Sequence, residues 1–374
     1  MIMRVCWRTI PSQRNSMACL YAACERAGYT LDFSCGPEKD VTLYSLNSIT
    51  GPSLIPEINA ADTITVIGGP HACARWDELV HIADYVVVGE GEYTVPRLLQ
   101  SIESGTPVPP GVATASSFQP VDHTVFLDGN PSFSEYKGYI EISRGCPYGC
   151  TYCQTPRIFG NTIRHRSIGS IVRLAHSFHD IRFLSPNALA YGTDGLHPDP
   201  RHIRSLLHEL AKIPDKDIFL GTFPGEIRPE FVSEEAVDLI ARYCSNTRIH
   251  IGAQSGAEST LKRIRRGHTL SDVWRAIDHT TDAGFTPVVD IIVGFPDETD
   301  EELLATVSFC REVSKIGYVH AHRFFSLPGT PLEGRVSRDL IPEVVSALGS
   351  LALSGRLTGS WNNPEIRFFS KISK

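Results

Sequence analysis

The chain reads as two successive α/β units: a small parallel sheet with covering helices, then a parallel α/β barrel, full or partial. Two series of short apolar runs alternating with helical periodicity predict this. A proline-rich break at Thr106-Pro107-Val108-Pro109-Pro110-Gly111 separates them, followed by polar, Ser/Thr-rich sequence. The length, 374 residues, suits two to three domains.

In the first series, residues 5–10, 41–46, 64–67 and 85–88 read as strands. Residues 17–27, closed by Gly28, and 93–101 read as helices. Gly68-Gly69-Pro70 ends the third of these strands and Gly89-Glu90-Gly91-Glu92 the fourth. In a parallel sheet, ligands bind beyond the carboxyl ends of the strands. In the second series, the expected strands are 139–143, 181–184, 218–222, 249–253, 288–293 and 319–325. Expected helices are 167–178, 199–211, 233–243, 255–265, 270–283 and 301–314. Thr269 with Asp272 gives one a capped start. Arg263, Arg265 and Arg266 read as the positive end of a helix complementing its dipole. The last 40 or so residues read as partly helical, then extended at 361–369.

Composition narrows the function classes. With 42% apolar and 21% charged residues the chain is an ordinary globular protein. A net charge of −7 and a pI near 6.1 give no global basic field, so no nucleic-acid partner is expected. No apolar run of about 18 residues and no signal architecture is read, which predicts a cytoplasmic protein without a membrane partner. Ten cysteines without a secretory signal argue against a disulfide framework. Seven are scattered and read as free thiols.

The other three, Cys146, Cys150 and Cys153, fall within eight residues, in Ile142-Ser143-Arg144-Gly145-Cys146-Pro147-Tyr148-Gly149-Cys150-Thr151-Tyr152-Cys153. This segment follows the first strand of the second unit, at the end of a barrel where active sites are built. Gly145, Pro147 and Gly149 let the backbone wrap around a bulky object. Three thiolates in one loop can hold three irons of a cubane and leave the fourth open. The alternatives are zinc completed by His165 or a remote cysteine, and a four-ligand electron carrier.

The C-x3-C-x-Tyr-C segment resembles the cluster motif of the radical S-adenosylmethionine (SAM) superfamily. Further segments resemble its cobalamin-binding subfamily: Val66-Ile67-Gly68-Gly69-Pro70-His71-Ala72, Val88-Gly89-Glu90-Gly91-Glu92, Ile251-Gly252-Ala253-Gln254-Ser255-Gly256, Arg266-Gly267-His268-Thr269, Val293-Gly294-Phe295-Pro296-Asp297-Glu298-Thr299 and Leu327-Pro328-Gly329-Thr330-Pro331. The resemblance implies a Rossmann-like cobalamin-binding domain at 1–110, a linker at 111–138, a radical SAM barrel at 139–335 and an extension at 336–374. It implies a [4Fe-4S] cluster on Cys146, Cys150 and Cys153, with SAM and cobalamin as further cofactors.

For SAM the resemblance points to Tyr152, to Glu226 and Arg228, to Gln254, Ser255 and Gly256, whose backbone N–H groups suit the methionine carboxylate, and to Gly294 near adenine. A plain helix cap at Ser255 and a surface ion pair at Glu226 and Arg228 are the competing readings. Many relatives have an acidic residue after the second barrel strand; here Ser185 and Asn187 stand instead. For cobalamin the candidates are Trp7, Thr9 and Ser12 after the first strand, Gly68, Gly69, Pro70 and His71, and Gly89, Glu90, Gly91 and Glu92. No D-x-H-x-x-G follows the first strand, so no histidine ligand to cobalt is evident.

What the resemblance implies is a C-methyltransferase acting on an unactivated sp3 carbon through a 5′-deoxyadenosyl radical and methylcobalamin, with a protein supplying single electrons. The segments 183–188 and 221–229 further resemble a methanogen group, which implies a peptide or protein substrate: the α-carbon of a glutamine in the α subunit of methyl-coenzyme M reductase. A methylthiotransferase acting on tRNA, with a second cluster on N-terminal cysteines, and a cobalamin-using rearrangement or cyclisation enzyme are the alternatives.

Overall fold

A computed structural model describes residues 3–10 and 13–362. The chain forms two compact units, Met1–Tyr139 with Arg157–Phe159, and Ile140–Pro156 with Gly160–Lys374.

The first unit is a six-stranded sheet of β1 (Val5–Arg8), β2 (Leu31–Ser34), β3 (Val41–Ser45), β4 (Ile64–Gly68), β5 (Tyr85–Val87) and β6 (Val112–Ala113), in the order β2-β1-β3-β4-β5-β6. All pairs are parallel except β5 with β6. The central strands are apolar on both faces; every residue of β3 is buried. Helices Arg14–Arg26 and Gly91–Ser104 share a core with Val5, Trp7, Leu31 and Val41. The opposite core gathers Tyr44, Leu46, Ile58, Ile67 and Val86. β2 was not expected from the sequence: it is an edge strand with one fully buried residue, too short for a clear period. Residues 111–138 do not form a separate linker but pack into this unit. Val112 and Ala113 pair with the edge of β5, and Val125, Leu127 and Phe133 are buried. Apolar residues spaced along a polar segment provide the cover that an exposed strand edge requires.

In the second unit β7 (Ile140–Glu141), β10 (Asp180–Leu184), β11 (Asp217–Phe219), β12 (Arg248–Gln254), β13 (Thr286–Val293), β14 (Tyr318–Arg323) and β15 (Leu357–Thr358) are parallel, ordered β7-β10-β11 and β12-β13-β14-β15. A parallel bridge from Ile227 to Ile251 joins the two groups. No pair among the described residues closes β15 onto β7, so the barrel is partial. β8 (Ser143–Arg144) and β9 (Arg164–His165) make a separate antiparallel pair around the cysteine segment.

Helices Ile168–Ala175, Pro200–Leu210, Glu234–Tyr243, Leu270–Asp282 and Asp300–Ile316 alternate with these strands. Ser167, Asp199 and Ser233 cap the first three, and capping boxes of Thr269 with Asp272 and Thr299 with Glu302 start the last two. The helix expected at 255–265 is only Glu258–Arg263, because Gln254 takes a left-handed turn (φ 75°) and Ser255 is buried ahead of it. After β14, helix Pro342–Leu353 and β15 extend the unit. The extended reading at 361–369 falls almost wholly outside the described residues.

Candidate active site

The cysteine segment is held open by its own backbone. Gly145 has φ 88°, and a Cβ there would stand 2.3 Å from the Thr162 carbonyl, so only glycine fits. The Cys146 N–H donates to the Gly160 carbonyl (3.2 Å), the Thr151 N–H to Ile264 (3.0 Å) and the Cys153 N–H to Cys150 (3.3 Å). All three thiols are free, Cys150 buried and the others half-buried. His165 is no free zinc ligand: Nδ1 lies 2.9 Å from the Ser143 hydroxyl and Nε2 2.7 Å from the Thr193 carbonyl. Burial pushes the Cys146 thiol up, and the neighbouring Cys153 and Cys150 add to this against the Tyr148 N–H and Arg228. Bringing three thiolates together in this way costs free energy that a cationic cluster would offset.

Two buried arginines support the loop. Arg228 stacks 3.4 Å from the Tyr148 ring centroid, donates to Glu230 at 2.6 Å and donates to the Arg266 carbonyl. The Tyr148 hydroxyl reaches the same Glu230 oxygen at 2.9 Å. The competing reading of Glu226 and Arg228 as a surface ion pair is not met: Arg228 is 3% exposed and pairs with Glu230. Burial alone would raise the Glu230 carboxyl, but His268 and Arg228 outweigh it and hold it well below its usual range. Arg266 does not serve a helix dipole. It turns inward, donating to the Gly252 carbonyl at 2.8 Å and pointing at Cys150 Sγ at 3.9 Å. Arg263 does lie in the last turn of helix Glu258–Arg263, as expected, and also pairs with Glu302. Sequence reasoning missed Arg266 because three arginines in four positions look like a solvated helix end.

Beside the loop lies a cavity of about 210 Å³, lined by Tyr152, Glu226, Gln254, Asp290, Ile292 and Phe324 among others. Tyr152 packs on Phe295, giving an apolar wall. Burial raises both the Glu226 and the Asp290 carboxyl, Arg266 opposes this only in part, and Glu226 raises Asp290 further. Asp290 Oδ2 has no hydrogen-bond partner although the residue is 5% exposed. A ligand that donates hydrogen bonds would satisfy it. Asp290 carried no sequence signal beyond its place in a strand.

Of the seven SAM candidates, the cavity brings together Tyr152, Glu226 and Gln254. Ser255 and Gly256 are committed elsewhere: the Ser255 hydroxyl meets Thr306 Oγ1 at 3.2 Å, and the Gly256 N–H donates to that oxygen, also at 3.2 Å. Ser255 further accepts from the Ala257 N–H, a turn contact and not the helix cap that was its competing reading, since the N-cap of helix Glu258–Arg263 is Ala257. The Gly294 N–H donates to Glu298 (2.8 Å), and a Cβ there would meet Arg323 at 2.8 Å, so this glycine serves packing. After β10, Ser185 and Asn187 bond to each other, and Asn187 accepts the Arg228 N–H.

In the first unit the glycine loops are likewise spent. Gly69 (φ 94°) presses against the Leu46 backbone, where a Cβ would stand 2.8 Å from its carbonyl oxygen, and Gly91 lies against Leu20. The Pro70 turn delivers the His71 N–H to the Leu46 carbonyl (2.9 Å), with Nδ1 3.4 Å from Ser48. A Cβ on Gly68 would meet Val87, and the Gly89 N–H donates to Cys73 Sγ. Glu90 accepts from the Val125 N–H, Glu92 from Cys19, and Thr9 donates to the Ser34 carbonyl. Trp7 is in the core, and Ser12 lies outside the described residues. The order β2-β1-β3-β4-β5 has its topological switch between β1 and β3. Just beyond those strands, Gln13 Oε1 and Thr50 Oγ1 are buried without partners. A group bound at that switch point would meet these two unpaired atoms, one loop away from the glycine motifs.

Residues 140–310 match the family model described as Radical SAM superfamily, and the second unit carries a radical SAM domain. Known relatives divide by method. In sequence, the chain is 30% identical over 234 residues to threonylcarbamoyladenosine tRNA methylthiotransferase MtaB of Thermotoga maritima, covering 56% of this chain and 50% of that protein. It is 26% identical over 315 residues to a tRNA-2-methylthio-N(6)-dimethylallyladenosine synthase of Desulfosudis oleivorans, covering 80% and 65%. The chain thus spans about half to two-thirds of the length of these curated relatives. In structure it resembles the radical SAM methyltransferase TsrM of Kitasatospora setae, solved with cobalamin and a [4Fe-4S] cluster (TM-score 0.65, 18% identity, 88% of this chain and 74% of that one). It also resembles the cobalamin-dependent SAM radical enzyme OxsB with aqua-cobalamin (TM-score 0.65, 14% identity, 98% and 56%). The fold, a Rossmann-like unit followed by a radical SAM barrel, is shared with both. No helix among the described residues is long and apolar enough to cross a membrane.

Proposed function

We propose that the protein is a cobalamin-dependent radical SAM C-methyltransferase of an unactivated carbon. The observation that carries this reading is the pairing of a three-thiol loop with a parallel β2-β1-β3-β4-β5 unit whose switch point holds unpaired buried polar atoms. When bound, the [4Fe-4S] cluster and cobalamin would supply the electron that cleaves SAM and the carrier of the methyl group. Cys146, Cys150 and Cys153 hold the cluster, and Arg266 places a fixed positive charge beside Cys150. Tyr152, Gln254 and Glu226 bind SAM along the cavity wall, and the apolar side, with Phe324, keeps water out. A partner protein donates electrons one at a time. The substrate in this reading is a peptidyl glutamine of the methyl-coenzyme M reductase α subunit, methylated at its α-carbon.

The test is incubation of the cluster-reconstituted chain, with hydroxocobalamin, a reductant and methyl-labelled SAM, with a glutamine-containing peptide of that reductase. The expected result is one labelled methyl group on the peptide and corrinoid retained through desalting. Protein that keeps its cluster but no corrinoid through desalting overturns the cobalamin assignment.

The sequence relatives favour a second reading, a tRNA methylthiotransferase. It would require a second cluster on cysteines of the first unit. Here Cys6 and Cys24 are buried in the core, Cys6 Sγ bonds Ser34 and Cys73 engages Gly89, which supports the first reading. A second cubane with no corrinoid would reverse that choice.

A further inference from the structure

The sequence His320-Ala321-His322 runs along β14, and residues two apart on a strand share one face. Their imidazoles meet there: the two Nε2 atoms are 2.8 Å apart, with ring centroids at 4.5 Å and planes at 81°. Each ring is anchored from behind by a hydroxyl. His320 Nδ1 lies 2.9 Å from Thr358 Oγ1, and His322 Nδ1 lies 2.8 Å from Ser360 Oγ. The anchor is built into the fold, because His320 and Thr358 are register partners of β14 and β15.

Histidines that ligate a metal are held in this way: the far nitrogen meets a hydrogen-bonding partner and the near nitrogen presents its lone pair. In the tautomer in which each Nδ1–H is donated to its hydroxyl, the two Nε2 lone pairs face each other, and a metal ion between them satisfies both. Tetrahedral ligands about 2.0–2.1 Å from an ion are about 3.3 Å apart, so the pair would open by about half an ångström to admit one. Burial lowers the proton affinity of both rings, and His320 lowers that of His322 further, so both stay neutral and able to ligate. His322 also lines the cavity that holds Glu226, Gln254 and Asp290.

We propose that His320 and His322 form a two-imidazole site for a divalent transition metal of the zinc class, whose remaining positions take water or an oxygen or nitrogen donor of the molecule in that cavity. Imidazole ligands suit zinc, nickel and copper over magnesium or calcium. The site is separate from the thiol loop, and it does not depend on the methyltransferase reading.

The experiment is equilibrium dialysis of the cluster-reconstituted full chain against micromolar zinc under anaerobic conditions, counting zinc and iron per chain. Cobalt(II) bound in place of zinc reports coordination through its ligand-field bands. The expected result is one zinc per chain, lost in His320→Ala and in His322→Gln, with iron content and cubane absorption unchanged. Thr358→Val with Ser360→Ala should keep the ligands but weaken zinc binding by about 10- to 100-fold. Equal zinc in the wild type and in the double His320→Ala/His322→Ala variant would overturn the proposal, leaving two imidazoles that share a proton. Zinc gained only as iron is lost would overturn it too, by placing the ion on the cysteines.

Discussion

The two units carry glycine-marked loops at the ends of parallel strands, yet they spend them differently. In the first unit Gly69, Gly91, Thr9, Glu90 and Glu92 all meet partners within the fold. In the second, a glycine at 145 only opens the loop, and Cys146, Cys150 and Cys153 remain free thiols while Asp290 keeps an orphan oxygen. Motif residues that fix geometry and residues that perform chemistry can therefore look alike in sequence. They separate only when each polar atom's partner is known.

The largest effect that tests this contrast is loss of the thiols. Cys146→Ala, Cys150→Ala or Cys153→Ala should each abolish cubane absorption and deoxyadenosine formation, while Cys6→Ala should change neither. Retention of both signals in a loop variant would break the contrast at its stronger end. Next is Glu298, which accepts the Gly294 and Phe295 N–H groups but leaves Oε1 buried and unpaired. Burial pushes its carboxyl up from an ordinary 4.5 to about 7 despite those two donors. Below pH 4.5 both folded and unfolded chains are protonated and the group contributes nothing differential. As pH rises toward 7 the unfolded chain loses the proton first, so stability falls, by on the order of 3 kcal/mol. Urea unfolding across that window should show this slope in the wild type and not in Glu298→Gln; equal slopes would remove Glu298 from the account.

A smaller effect weighs the glycines directly. Gly69→Ala forces a Cβ to 2.8 Å from the Leu46 oxygen at a positive φ, whereas Gly149, inside the cysteine loop, has open space around it. Gly69→Ala should cost about 1–3 kcal/mol and Gly149→Ala only a few tenths, read from urea midpoints. The reverse order would mean that the loop, and not the first sheet, is the tightly packed element.

Much of this was legible in the sequence. Short apolar runs separated by helical periodicity placed most strands and helices, since burial on both faces of a parallel sheet leaves a near-continuous apolar record at Val41–Ser45 and Thr286–Val293. β2 and the packed segment 111–138 were not, because an edge strand and a covering loop bury too few residues to set a period. In the site, the thiol triad was legible through its spacing. Arg266 and Asp290 were not: their roles arise from which way a turn and a strand face, which composition does not encode. The backbone N–H groups of the turn at 254–256 were read as ligand-binding, but Thr306, some fifty positions on, takes that of Gly256 and also meets the Ser255 hydroxyl.

That last difference yields the mildest prediction and the sharpest one, since it splits two adjacent residues. Gln254 is turned to the cavity by its left-handed backbone, and Ser255 is turned away to Thr306. If Gln254 contacts SAM, Gln254→Ala removes a hydrogen bond worth about 1 kcal/mol and should raise the KM for SAM about fivefold, with the unfolding midpoint unmoved. Ser255→Ala should do the opposite, lowering stability by about 1 kcal/mol and leaving the KM alone, because its hydroxyl ties the strand-to-helix turn to Thr306 of a neighbouring helix. A KM effect at Ser255 equal to that at Gln254 would mean that the two residues act on SAM as one unit, and that the Thr306 contact positions the turn for ligand binding as well as for packing.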